Sequence, residues 1–324
     1  MTPPGSRNPR GVGLRSAIKW VLLLLTGAFI AWALHGQWAD MRASARDIRV
    51  AWRWIMAASV IVLAVYAMLI QSWRLLLRDW GGELAFLPAV RIWTIANLGR
   101  WLPGKVWSVG ALSVLAAREG VSGTAAAGAA VLGTLLNIGA GFAVAVISGA
   151  DRLDSVYEGF RIAALTATAV FVAGALALPV ILPPVLRWFA LKRGMPVASR
   201  QLTSTTLWGA TAINVVSWLG YGLAFALFAR GVTPQITGEP TLFIAAYAAS
   251  YLIGFLAIFS PGGLGVREAA LSVILVGLGA AGQGDAVILG VTSRLWLTVL
   301  EVLPGLVCLL ILPASQRAVF RGTK

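Results

Sequence analysis

A chain that leaves the helical state inside lipid must satisfy the backbone N–H and C=O groups it frees, because hydrocarbon offers them no partner. This sequence breaks helix twice within apolar surroundings. The breaks are Arg100-Trp101-Leu102-Pro103-Gly104-Lys105 and Ser260-Pro261-Gly262-Gly263-Leu264-Gly265-Val266-Arg267-Glu268, and both carry the residues that stop a helix. Irregular backbone at membrane depth is tolerated only against protein or a polar cavity. Two breaks in corresponding places therefore point to a paired central site for a polar ligand.

Composition identifies the surrounding solvent as lipid: 59% of the 324 residues are apolar, 14 are Trp and only 12% are charged. A chain of this length holds about six to eight spans and leaves little for a separate soluble domain. The net charge of +14 sits in short connectors beside apolar segments, where it sets orientation and meets anionic headgroups; it does not point to nucleic acid. Cys308 is the single cysteine and His35 the single histidine, which excludes disulfides and a Cys/His zinc site by count. No metal and no cofactor is expected. The stretch Gly262 to Gly265 lacks GxGxxG spacing and strand context, and P-loop and GxSxG patterns are missing. An enzyme is not expected.

The fold class expected is an all-α polytopic membrane protein. Residues 1–19 read as a basic cytoplasmic N-terminus, 20–312 as a single membrane domain and 313–324 as a basic cytoplasmic tail. Trp20 to Leu34 forms the first span. Ala31-Trp32-Ala33 has the form of a signal-peptide cleavage site, yet the apolar run is at the long limit for a signal, so an uncleaved anchor is the reading. Further spans are placed at Trp54 to Gln71, Thr124 to Ser148, Ala163 to Leu182, Leu207 to Phe228 and Ala286 to Leu312, each near the ~20 residues that cross a bilayer. Two segments, 87–117 and 242–278, hold paired apolar stretches around the Pro-Gly breaks. They read as helical hairpins that either re-enter or cross.

The hairpins resemble each other. Ala111-Leu112-Ser113-Val114-Leu115 follows the first break and Ala270-Leu271-Ser272-Val273-Ile274 the second; a small-residue turn and a full span come next in both. With three full spans between them, a duplication of this kind is an inverted repeat. Charge placement agrees with cytoplasmic termini in an inner, or plasma, membrane. Arg74, Arg78, Arg118, Arg187, Lys192, Arg193, Arg200, Arg317, Arg321 and Lys324 fall inside, and Asp151, Asp154 and Glu158 outside. The external Arg42, Arg46, Arg49 and Arg53 break this tendency and fit an interfacial helix.

Ionisable groups at depth are costly and face a cavity or a partner. Arg100 and Lys105 flank the first break, Arg267 and Glu268 close the second, and Arg294 and Glu301 share a face of the last helix. The rise between Arg294 and Glu301 is roughly 10 Å, too long for a direct pair. Glu268 is the expected partner of Arg294. Pro304 leaves the Leu300 carbonyl without its donor, beside Glu301. Buried ion pairs that lock the bundle are the alternative use of these charges. Asn97, Asn137 and Asn214 either line a path or bond between helices, Ala125 to Gly141 reads as a close-packing helix, and Asp285 as a helix cap. Trp52, Trp54, Trp73, Trp80, Trp93 and Trp101 read mostly as an interfacial belt.

Asn97-Leu98-Gly99-Arg100-Trp101-Leu102-Pro103-Gly104-Lys105, Arg118-Glu119-Gly120-Val121-Ser122, and Pro261-Gly262-Gly263-Leu264-Gly265-Val266-Arg267-Glu268 with Arg294 downstream resemble the lysylphosphatidylglycerol synthase transmembrane-region family. The resemblance runs roughly from Trp20 to Leu312, and its specific part is Pro-Gly-Gly-x-Gly-x-x-Glu. It implies a flippase-like membrane domain handling a phospholipid, glycolipid, polyprenyl or hopanoid lipid. It implies no aminoacyl transfer, which belongs to a soluble domain of long members; a stand-alone member is expected. The chain departs from the family at Val106-Trp107-Ser108-Val109-Gly110, where many members are acidic or carry arginine, and that replacement favours a bulkier or less polar lipid. Membrane lipids are the expected partners. A non-transporting accessory subunit of a lipid-modifying or glycosyltransferase enzyme is the alternative.

Overall fold

A computed structural model describes residues 50–101, 106–154, 202–233, 238–257 and 260–311, with residue 236 and scattered positions between 162 and 181. The expected first span, most of Ala163 to Leu182, Pro103, Gly104, Lys105 and both basic tails lie outside the described residues.

The described chain is helical throughout its regular structure. Its helices are α1 (Trp52–Asp79), α2 (Phe86–Asn97), α3 (Val106–Arg118), α4 (Gly123–Asp154), α5 (Ser204–Val232), α6 (Pro240–Leu256), α7 (Val266–Gly277) and α8 (Gln283–Ile311). Four of them, α1, α4, α5 and α8, are long and apolar enough to cross a membrane; the first three each contain a predicted span, and α8 covers the predicted Ala286 to Leu312 as far as Ile311. The predicted hairpins are α2–α3 and α6–α7. Short 3₁₀ turns, Leu98–Trp101 and Pro261–Gly263, lie at the two breaks.

Local sequence explains how these elements meet. On α1, Ala58, Val62, Val65, Trp73, Leu76 and Leu77 are buried, a three-and-four spacing that turns one face inward. At the start of α5, Thr203 accepts a hydrogen bond from the Thr206 amide, which satisfies one of the free N–H groups of a helix N-terminus. Asp79, the last residue of α1, accepts bonds from both the amide and the hydroxyl of that same Thr203. At the far end the Ala51 amide donates to Gly231 O at 2.8 Å. The start of α1 thus meets the end of α5, and the reverse, so the two helices run antiparallel.

This antiparallel pair decides the symmetry. Each half runs long helix, short helix, break, short helix, long helix, with lengths of 28, 12, 13 and 32 residues in the first and 29, 17, 12 and 29 in the second. Packing between halves is reciprocal: α4 lies on α6, and α8 lies on α2. Similar local closures recur in the two halves. Val121 N bonds Ala116 O at 3.1 Å and Ala280 N bonds Leu275 O at 2.9 Å, each past a glycine of positive φ, Gly120 and Gly279, the geometry of a Schellman helix end. Ser113 Oγ donates to Gly123 O at 2.8 Å and Ser272 Oγ to Ala286 O at 3.0 Å. Halves of the same construction joined through antiparallel helices form the predicted inverted repeat.

Lipid is as apolar as leucine, so helices in it are held by close packing and interhelical polar bonds. Asn214, only 1% exposed, joins three helices: it accepts from Asn137 Nδ2 at 2.8 Å and donates to Ser72 Oγ at 3.1 Å. Those bonds are of the interhelical kind anticipated for Asn137 and Asn214. The tryptophans correct the belt assignment in part. Trp52 is exposed as a belt residue should be, but Trp73 is buried and donates to Ala126 O. Trp93 packs on Tyr66 with ring centroids 5.7 Å apart. An indole N–H that finds an acceptor inside the bundle has no need of the interface.

Candidate functional site

The second break shows where freed backbone groups go. Gly262, Gly263 and Gly265 have φ of 61°, 72° and 80°, the left-handed region that glycine enters without a Cβ penalty. A Cβ on Gly263 would also stand 2.9 Å from Gly254 O, so the break lies flat against α6. Its polar groups are closed internally: Gly263 N donates to Ser260 O, Ser260 Oγ donates to Leu264 O at 2.6 Å, and Gly262 O accepts from Arg294 Nη2 at 2.6 Å. One predicted charged residue therefore caps the other's loop.

The breaks border a cavity of about 500 Å³ between the two halves, lined by Asn97, Arg100, Gly262, Gly263, Arg267, Arg294 and Glu301 among others. Arg100 crosses from the first half to the second, donating from Nη1 to Glu301 Oε1 at 2.7 Å and from Nη2 to the Tyr251 hydroxyl at 2.9 Å. Arg267 is 5% exposed. Its guanidinium lies 4.8 Å from the ring centroids of both Tyr247 and Tyr251, a cation–π contact of desolvated geometry.

Glu268 stands apart from its predicted companions. Its Oε1 is 3.4 Å from Arg294 Nε, the anticipated partner, but it does not line the cavity. Both carboxylate oxygens are enclosed and accept no hydrogen bond among the described residues. Its place is behind Arg294, where its charge offsets that of the guanidinium. Glu301 and Arg294, too far apart along α8 for each other, have separate partners.

Sequence reasoning passed over the cavity wall. Four of the chain's five tyrosines, Tyr66, Tyr221, Tyr247 and Tyr251, line the cavity with Trp218. Tyr221 and Tyr247 stack at 5.7 Å, and Trp218 meets Tyr251 edge-on at 5.1 Å while donating from Nε1 to Asn137 O at 2.8 Å. Trp218 thus links the charged group to the backbone of Asn137, whose side chain in turn bonds Asn214. The missed signal was the placement of these tyrosines deep in apolar helices, with Tyr247 and Tyr251 four apart on one helix face. A phenol there needs a polar neighbour.

These features define a multi-pass α-helical membrane protein, an inverted repeat with a charged, aromatic-walled cavity between its halves. The chain belongs to the family described as Lysylphosphatidylglycerol synthase TM region, which matches residues 19–305. No curated protein matches the chain at a significant level.

Proposed function

We propose that the protein is a lipid translocator, a transporter and not an enzyme, which moves a polar-headgroup lipid between the leaflets of an inner (plasma) membrane with both its termini cytoplasmic. One observation carries the reading: charged groups at membrane depth surround a cavity bounded by both halves of an inverted repeat. Desolvating such charges is expensive, and the cost is retained where a polar substrate passes. The headgroup enters the cavity while the acyl chains stay in lipid. Rocking of one half against the other about the α1–α5 contact exposes the site to each leaflet in turn. Membership of a family described by a lipid-synthase membrane region supports a lipid as the substrate.

The test is movement of headgroup-labelled lipid in sealed proteoliposomes, comparing the wild type with Arg100→Gln over anionic, aminoacylated and polyprenyl-linked lipids. Arg100 is the arginine to choose because it joins the halves, its side chain is 32% exposed, and glutamine keeps a donor for Glu301. Movement lost in a folded Arg100→Gln variant is the expected result. No movement by folded wild type rejects the translocator and favours an accessory subunit of a lipid-modifying enzyme.

A further inference from the structure

The cavity's charge balance and its unspent hydrogen-bonding groups narrow the headgroup further, on the assumption that the translocator reading holds. Among the described lining residues, three arginines face one glutamate. That glutamate, Glu301, is held by Arg100 at 2.7 Å. The other carboxylate, Glu268, is enclosed behind Arg294 and outside the lining. Two of the aromatic faces that could receive a ligand cation are taken as well, since the guanidinium of Arg267 covers Tyr247 and Tyr251. An ammonium entering this cavity would meet uncompensated positive charge and no open acceptor carboxylate.

The neutral polar groups tell the other half. Asn97 and Tyr221 line the cavity without a side-chain hydrogen bond to any described residue, and the Asn137 side chain is bonded through one end only. Groups of this kind suit hydroxyls, which both donate and accept. The remaining rings of the wall, Tyr66, Tyr221 and Trp218, suit the C–H surface of a ring or polyol.

We infer that the site takes a phosphodiester headgroup joined to an uncharged, hydroxyl-rich group, and rejects an aminoacylated, cationic one. The arginines hold the phosphate, and the tyrosine wall with the unspent amides holds the polyol.

The experiment is lipid binding to the purified full-length protein in neutral detergent, read by native mass spectrometry. The probes are phosphatidylinositol, phosphatidic acid and lysyl-phosphatidylglycerol. Phosphatidylinositol is expected to bind at least about tenfold better than lysyl-phosphatidylglycerol, given the repulsion between like charges in a low-dielectric site. Tyr221→Phe, which keeps the ring and removes one hydroxyl, is expected to weaken phosphatidylinositol about threefold and leave phosphatidic acid unchanged. Equal or tighter binding of the aminoacylated lipid, no binding of any probe, or an equal loss of both anionic lipids in Tyr221→Phe overturns the inference. Soluble inositol 1-phosphate separates the sources: its failure to displace the lipid supports a lipid-borne headgroup, and its tighter binding overturns that source. Selective binding without movement in vesicles would reject the translocator and leave the headgroup assignment standing.

Discussion

The second hairpin keeps its arginine at home, whereas the first sends its arginine abroad. Arg267 lies against the tyrosines of its own partner helix α6, and Arg294 closes the adjacent break from the next helix of the same half. Arg100, beside the first break, finds both its partners in the other half. The scaffold is duplicated down to single hydrogen bonds, yet the charge is not: Arg267, Glu268, Arg294, Glu301, Tyr247 and Tyr251 all belong to the second half. Among the described residues, the first contributes Arg100 and the amides Asn97 and Asn137. In the proposed translocator the repeated frame would supply the motion, and the unequal furnishing a headgroup site with most of its charge on one side.

If that division is right, the two arginines beside the breaks fail differently when removed. Arg294→Ala should cost about 3–5 kcal/mol, because it strands the enclosed Glu268 and takes the donor from Gly262 O; denaturant titration in detergent measures it. Gly263→Ala is next. It places a side chain at φ +72° and 2.9 Å from Gly254 O, and should cost about 2 kcal/mol in the same titration. Arg100→Gln should lose less, about 1 kcal/mol, since glutamine keeps a donor for the Glu301 carboxylate, while lipid movement fails. Near-equal stability losses in Arg294→Ala and Arg100→Gln would break the comparison.

The smallest effect tests the repeat itself. Ser113→Ala and Ser272→Ala each remove a hydroxyl that reaches a carbonyl near the start of the following span, Ser272 with Glu268 O as a second acceptor, and interhelical bonds in membranes average about 0.6 kcal/mol. The two losses should match within error. A twofold difference between them would show that the halves are not energetically equivalent.

Much of this is legible in the sequence. Spans announce themselves through length and apolarity, and the breaks at Pro103-Gly104 and Pro261-Gly262 through chemistry that no helix tolerates. Arg294 and Glu268 could be paired because few groups at depth can balance one another. Arg100 and Glu301 are separated by 201 residues, and their pairing depends on α8 lying against α2, which no local pattern encodes. Trp73 was misjudged because a tryptophan near the end of a span reads the same whether its indole N–H faces a headgroup or a carbonyl. The tyrosine wall went unseen for a related reason: aromatic residues in an apolar helix look like packing until their hydroxyls are placed around a common space.

The most direct test of the central claim is leaflet accessibility of a labelled phosphatidylinositol in sealed vesicles carrying the folded wild-type protein. Addition of a membrane-impermeant quencher should extinguish the inner-leaflet signal as lipid moves outward. An inner-leaflet signal that stays as protected as in protein-free vesicles, for this and every other lipid tried, would contradict the claim that the cavity between the two halves is a path for headgroups.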